Sequence, residues 1–382
     1  MAKEMVLSKQ GSTDYLEMRD YPTPSAGPGA VVADVVLCGV CGTDTHQVMG
    51  WLPIPVPHAL GHEWFGRVRE LGEGVEADAT GQPLSTGDRI ASGIGISRPD
   101  WYSRNLPDRP NVSSGFEEVG ISMTHTADDP PHFWGAFAEH VYLPGYFPIY
   151  KLPPGMDDRE LVLVEPIAVA TRAFKRAQGS AAGYTKTGVG VDPSQTVVVQ
   201  GMGPVGMCHA LVCNLFGMTN IIGIDKVPER LEKGKRMGLT DAIDMNEVDS
   251  IEDRQKQVKK LSGGEGADIV FETAGHPSAF EESFQLVRKG GCIVEVGNAA
   301  DSGKAQLSPF TDVCQKDVDV LGSFGYSGLE YRTAMATMVK AKQAGVPFGE
   351  IVGEVRPLEE LPEQIQRQGE AGVPGRIAIQ PR

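Results

Sequence analysis

The sequence predicts an α/β protein of two domains, on three observations. Its 382 residues exceed what a single core of roughly 150 residues requires. The second half alternates short apolar strands with helical stretches, as βαβ units on a doubly wound parallel sheet do. The first 150 or so residues instead read as short strands broken by turns.

Composition narrows the function. Hydrophobic residues make up 41% and charged residues 22%, the balance of a folded chain rather than a disordered one. Fifty acidic against 35 basic residues give a net charge of -15. Such a surface repels phosphate backbones and anionic lipid, which argues against nucleic acid or a membrane as partner. No apolar run approaches the roughly 18 residues of a membrane span. Glu4 sits where a signal peptide needs its apolar stretch, so a soluble, cytoplasmic protein is expected. The six cysteines are few for the length, and a reducing setting makes a disulfide framework unexpected.

Taken in order, residues 31–37 form a strand-like run and residues 65–71 alternate like a half-buried strand, with Pro53, Pro55 and Pro57 marking a loop between them. Residues 92–131, with Arg98, Pro99, Asp100, Trp101, Pro107 and Pro110, show no period. An irregular stretch this long is usually functional or an interaction element. After about residue 165 the texture changes. A buried strand, Thr196–Gln200, leads through glycines into the apolar helical stretch 205–216. A strand at 220–224, a charged helix Pro228–Met237, and strands Ala267–Glu272 and 292–296 follow. The tail carries helical patterns at 331–344 and 358–368 and a strand at 376–379.

Two motifs carry chemistry. The first is Gly201-Met202-Gly203-Pro204-Val205-Gly206. Among 47 glycines a three-glycine pattern alone says little, but this one follows a strand and opens a helix. There backbone N–H groups and the helix dipole can face a pyrophosphate. Asp225 ends the next strand at the spacing of a ribose-binding carboxylate, which favours NAD over NADP. Lys226 and Arg230 are cations nearby. The second motif is Cys38-Gly39-Val40-Cys41-Gly42-Thr43-Asp44-Thr45-His46, followed by Gly61-His62-Glu63. Thiolate, imidazole and carboxylate suit zinc, and three protein ligands with one open position make a catalytic site. By themselves Cys41 and His62 fit a core cysteine and a surface histidine equally well.

Residues 39–46 with Gly61-His62-Glu63 resemble the signature of the zinc-dependent medium-chain alcohol dehydrogenases. The resemblance continues in order through Gly87-Asp88-Arg89-Ile90, Gly135-Ala136-Phe137-Ala138-Glu139, Leu163-Val164-Glu165-Pro166 and the glycine loop. It implies a GroES-like β-barrel catalytic domain at 1–166, completed by 327–382, and a Rossmann domain at 167–326. It implies that Cys41 and His62 ligate one catalytic zinc, with Glu63 or Glu165 completing the sphere as in the sorbitol and threonine dehydrogenase branch. Thr43 matches the hydroxyl that takes the substrate proton, and His46, expected near its ordinary pKa, matches the histidine that passes it on. Val296, Gly297, Ser323 and Phe324 match loops that hold the nicotinamide, and Arg376 an arginine that contacts the pyrophosphate. Asp44 reads as a turn acceptor.

A four-cysteine structural zinc lobe is common in this family. No cysteine lies between Asp44 and Gly206, so that lobe is expected to be absent or rebuilt in residues 92–131. The expected reaction is hydride transfer between a secondary alcohol, polyol or cyclic, or its ketone, and NAD, in a homodimer or homotetramer. Trp51, Phe116, Phe133 and Trp134 suggest an aromatic pocket lining. His58 and His132 read as structural histidines. Two alternatives remain: a metal-free enoyl or quinone reductase on the same fold, using NADH or NADPH, and a catalytically silent nucleotide-binding relative.

Overall fold

The computed structural model describes residues 1–179, 191–370 and 372–382. The chain divides into two compact units. One comprises Met1–Glu165, Tyr326–Met335 and Val352–Arg382, the other Pro166–Gly325 and Ala336–Ile351. The tail is therefore shared, whereas the sequence places all of 327–382 in the first unit.

The second unit is built on six parallel strands in the spatial order Asp241–Asp244, Asn220–Asp225, Thr196–Gln200, Ala267–Glu272, Val287–Glu295, Asp319–Gly322. Thr196–Gln200 is buried along its whole length, as a central parallel strand covered on both faces must be. Val198 stands opposite Ile222 on one side and Val270 on the other, and these pack with Ile224, Val258, Phe284 and Ile293 into one core. The strand order reverses beside Thr196–Gln200, where open α/β sheets take their ligands. Val287–Glu295 begins earlier than its apolar run at 292. Arg288-Lys289-Gly290-Gly291 disguises the start of the strand, because polar residues and glycines carry no strand period.

The first unit centres on Val31–Gly39. This strand pairs antiparallel with Glu63–Leu71, His140–Leu143 and Arg376–Gln380, and Val352–Pro357 runs parallel to the last of these. Trp64, Val31, Ala33, Ile90, Phe137 and Ile377 are among the side chains filling its core. The segment 92–131 is folded. Gly95–Ile96, Phe116–Glu118 and Ile121–Ser122 make a small antiparallel sheet. The Asp100 carboxylate caps the helix Trp101–Asn105 by accepting from the Ser103 N–H at 2.8 Å, and ties in Ser114 N–H at 2.7 Å. Strands of two or three residues are too short for alternation to show, which is why the sequence reads as irregular there.

Candidate metal and cofactor sites

Three donors converge in the first unit. Cys41 follows the strand Val31–Gly39 and is the N-cap of the helix Gly42–Met49. His62 and Glu63 lie at the start of the neighbouring strand, with Gly39 directly opposite Glu63. One ligand atom from each of Cys41, His62 and Glu63 lies within 4.8 Å of the others, the one such group among the described residues. Two glycines make this possible. A Cβ at Gly39 would stand 2.7 Å from Glu63 Oε2, and Gly61 adopts φ +96°, where a Cβ would stand 2.7 Å from Phe137 N and 2.9 Å from Cys38 Sγ. A larger residue at Gly39 displaces the Glu63 carboxylate, and one at Gly61 strains the backbone next to His62.

Supporting contacts fix the triad. Asp44 accepts the Cys41 N–H at 2.8 Å, and its second oxygen lies 3.6 Å from His62 Nδ1. It is thus both the turn acceptor read from the sequence and the carboxylate that orients the imidazole. Burial opposes charge on His62, but Asp44 and Cys41 outweigh it and draw its pKa well above the ordinary value. Arg376 Nη2 lies 2.6 Å from Glu63 Oε1, both side chains being almost wholly buried, and Nη1 donates to the Val40 carbonyl at 2.8 Å. Arg376 therefore serves the Glu63 carboxylate, where the resemblance implies a pyrophosphate contact. Glu63 Oε2 is buried with no hydrogen-bond partner. An orphaned carboxylate oxygen beside a thiol and an imidazole is the donor set a zinc ion would satisfy.

Glu165 is not within the 4.8 Å group, yet it is close enough for Glu63 and His62 to act on it. Burial, then the neighbouring Glu118, holds its carboxyl well above the usual range. Thr43 Oγ1 lies 3.7 Å from Cys41 Sγ. His46 sits on the same helix, its ring 5.6 Å from that of Trp51. Its pKa is below the ordinary value because burial outweighs the pull of Asp44, which corrects the expectation of an unperturbed histidine. His58 hydrogen-bonds the Gly120 carbonyl at 3.2 Å, and His132 the Ala127 carbonyl at 2.9 Å; both are structural. Trp51 is half-exposed, but Phe133 is wholly buried with Ala2 and Ala138. Its ring is taken up in the core, edge-on to Tyr21 and His140, where the sequence suggested a pocket lining.

The sequence missed Glu118. It lies on Phe116–Glu118 within the folded segment, is buried, and accepts a 2.5 Å hydrogen bond from Tyr326 Oη. An acidic residue between Glu117 and Val119 at a strand end was the available signal, but no period marked the strand.

In the second unit the glycine loop has the geometry an anion needs. Gly201 adopts φ +85°, its N–H donates to the Ile224 carbonyl at 2.8 Å, and Gly203 is the N-cap of the helix Pro204–Leu215, which Pro204 and Val205 begin. A Cβ at Gly206 would collide with the Gly201 carbonyl oxygen, so helix and turn approach as closely as glycine permits. Asp225 is buried at the end of Asn220–Asp225 and accepts from the N–H groups of Met202 at 2.6 Å and Val227 at 2.8 Å. Arg230 lies 3.7 Å from the same carboxylate, while Lys226 is exposed. Asp225 thereby also anchors the glycine loop, a role its position in sequence did not reveal. The Val296 and Gly297 N–H groups both reach the Glu272 carbonyl, at 3.1 and 3.0 Å. Ser323 donates its N–H to the Glu295 carbonyl at 2.8 Å and keeps a buried Oγ without a partner, beside half-exposed Phe324.

Residues 27–154 match the alcohol dehydrogenase GroES-like domain and residues 204–340 the zinc-binding dehydrogenase domain. The chain is 31% identical over 341 residues to a sorbitol dehydrogenase of Halalkalibacterium halodurans, covering 89% of each. It is 31% identical over 368 residues to the 5-exo-hydroxycamphor dehydrogenase of Pseudomonas putida, covering 96% of this chain and 95% of that one. An alcohol dehydrogenase structure from Thermotoga maritima superposes with a TM-score of 0.86 at 25% identity, covering 100% of this chain and 99% of that one. Among the described residues no helix is long and apolar enough to cross a membrane.

Proposed function

Because the chain belongs to the zinc-dependent medium-chain dehydrogenases of the alcohol dehydrogenase superfamily, and is an oxidoreductase acting on CH–OH groups with zinc and a nicotinamide cofactor, we propose that it oxidises a secondary alcohol, polyol or cyclic, with NAD. The observation that carries this reading is the convergence of Cys41, His62 and Glu63. These three hold one zinc per chain, with Glu63 as the third ligand and Glu165 outside the sphere. A metal-free reductase has no use for such a triad.

When bound, zinc supplies Lewis acidity toward the carbinol oxygen and the nicotinamide supplies the hydride acceptor. The chain's own residues do the rest. Asp44 orients the His62 imidazole, and Arg376 holds one oxygen of Glu63 so that the other stays directed at the donor group. Thr43 accepts the substrate's hydroxyl proton in exchange for its own, and His46, neutral at pH 7 because burial lowers its pKa, takes the proton onward. Gly201, Gly203 and Gly206 leave room for a pyrophosphate at the helix N-terminus. Asp225 presents a carboxylate where a ribose hydroxyl binds and a 2′-phosphate is repelled, which favours NAD. The relatives' alcohols, sorbitol and hydroxycamphor by name, support a polyol or cyclic substrate. A cytoplasmic homodimer or homotetramer completes the reading.

The test is elemental analysis of the purified protein together with NAD binding. About one zinc per chain is expected in the wild type, and none in Cys41→Ser or His62→Ala, with NAD affinity kept. A wild-type chain that takes up no zinc refutes the reading.

A further inference from the structure

We propose that Glu118, held by Tyr326, is a specificity-determining residue that accepts a hydrogen bond from a second hydroxyl of the substrate, so that the site selects a diol over the matched mono-alcohol. This deepens the proposed alcohol dehydrogenase reading and rests on it.

Four observations carry the inference. Glu118 is buried two residues before a glycine that packs against Gly61, the neighbour of His62, and the charges of His62 and Glu63 act on it. Its position is fixed. The next turn brings Gly120 so close to Gly61, the residue before His62, that a Cβ there would strike the Gly61 backbone, and Gln47 and His58 both reach the Gly120 carbonyl, at 3.1 and 3.2 Å. Tyr326, itself buried, spends its single O–H on Glu118 Oε1. Finally, Glu165 is more than nine-tenths buried, and Glu118 is the neighbouring charge that acts on it most strongly.

A carboxylate offers about four acceptor positions, and one phenol fills one of them. Two neighbouring buried carboxyl groups with spare capacity make a poor wall for an alkyl chain, because seating methylene groups there leaves the acceptors unsatisfied. A hydroxyl next to the reacting carbinol satisfies one. Sites built to bind a substrate hydroxyl reject the analogue that lacks it far more strongly than apolar pockets reject a surplus group. Glu118 is the better placed of the two carboxylates because Tyr326 orients it. Tyr326 is the positioning residue.

The experiment compares butane-2,3-diol with butan-2-ol in the zinc-loaded wild type and in Glu118→Gln, which preserves volume and an acceptor for Tyr326 but removes the charge. Replacing a charged acceptor by a neutral one should lower the ratio of kcat/KM, diol over mono-alcohol, by about fivefold or more. The second readout needs no turnover: the rise in unfolding midpoint that saturating diol gives the wild type should shrink in the variant, with zinc content unchanged. A ratio that falls by less than fivefold, or a diol-dependent rise that persists in full, overturns the inference. Tyr326→Phe should move both readouts in the same direction by less. If the wild type takes up zinc but oxidises neither alcohol, the underlying reading stands and its alcohol is another one. The midpoint comparison then still decides whether Glu118 binds the diol.

Discussion

Replacing Arg376 by leucine should destabilise the first unit by about 4 kcal/mol. Arg376 Nη2 and Glu63 Oε1 are 2.6 Å apart with both side chains about 2% exposed, so the leucine variant strands a carboxylate away from water. Breaking a buried pair from one side costs roughly 3–5 kcal/mol. The Val40 carbonyl loses the 2.8 Å hydrogen bond it accepts from Nη1, at roughly 1 kcal/mol, part of which the first figure already contains. All four tryptophans, Trp51, Trp64, Trp101 and Trp134, belong to this unit, so urea unfolding followed by tryptophan fluorescence reports on it selectively. A chelator should be present throughout, so that metal binding does not rescue Glu63. Adding Glu63→Leu to Arg376→Leu should then recover most of the loss, because two apolar groups replace a stranded charge. A loss under about 1 kcal/mol, or a double variant no more stable than the single, refutes the account of Arg376 as partner to Glu63.

Burial pushes the Glu4 carboxyl up to about 8, against 4.5 for an unperturbed glutamate. The folded unit therefore keeps a proton that the unfolded chain releases, and stability present below pH 4.5 is lost as pH rises to about 8. The loss is at most about 5 kcal/mol, and Glu4→Gln should flatten this slope in the same fluorescence assay. Gly206→Ala should abolish NAD binding measured calorimetrically while leaving the tryptophan-reported transition in place, since its Cβ would meet the Gly201 carbonyl; retained affinity would show that the turn can yield. Asp225→Ala should weaken NAD by about tenfold or more and erase the preference over NADP, as a lost charged hydrogen bond costs roughly 1.5–3 kcal/mol. An unchanged preference removes Asp225 from the ribose role.

What the sequence revealed was local. The strand Thr196–Gln200, the glycine turn and the helix Pro204–Leu215 are contiguous, so period and turn chemistry mark all three together. Cys41 and His62 were legible because their neighbours form a recognisable signature. The rest depends on register between distant strands. Nothing near Arg376 announces that its strand lies beside Val31–Gly39, which in turn faces Glu63. Glu118 stayed hidden because a three-residue strand shows no alternation, and Phe133 was misread because aromatic character does not say which way a ring points. The lowered pKa of His46 likewise follows from its surroundings, which composition does not report.

The strand Arg376–Gln380 has a consequence for how the protein is made. All six strands of the nucleotide sheet lie between residues 196 and 322, so a chain growing on the ribosome can complete that sheet while the barrel still lacks its last two strands. Domains folding in the order of synthesis leave the Cys41, His62 and Glu63 region waiting for Arg376 to emerge. Until then Glu63 has no cationic partner, and the Cys38–Gly39 end of the strand Val31–Gly39 presents a raw edge, open to pairing with another nascent chain. The unit that holds the metal donors is begun first and closed late, and metal is best acquired once Arg376 has emerged.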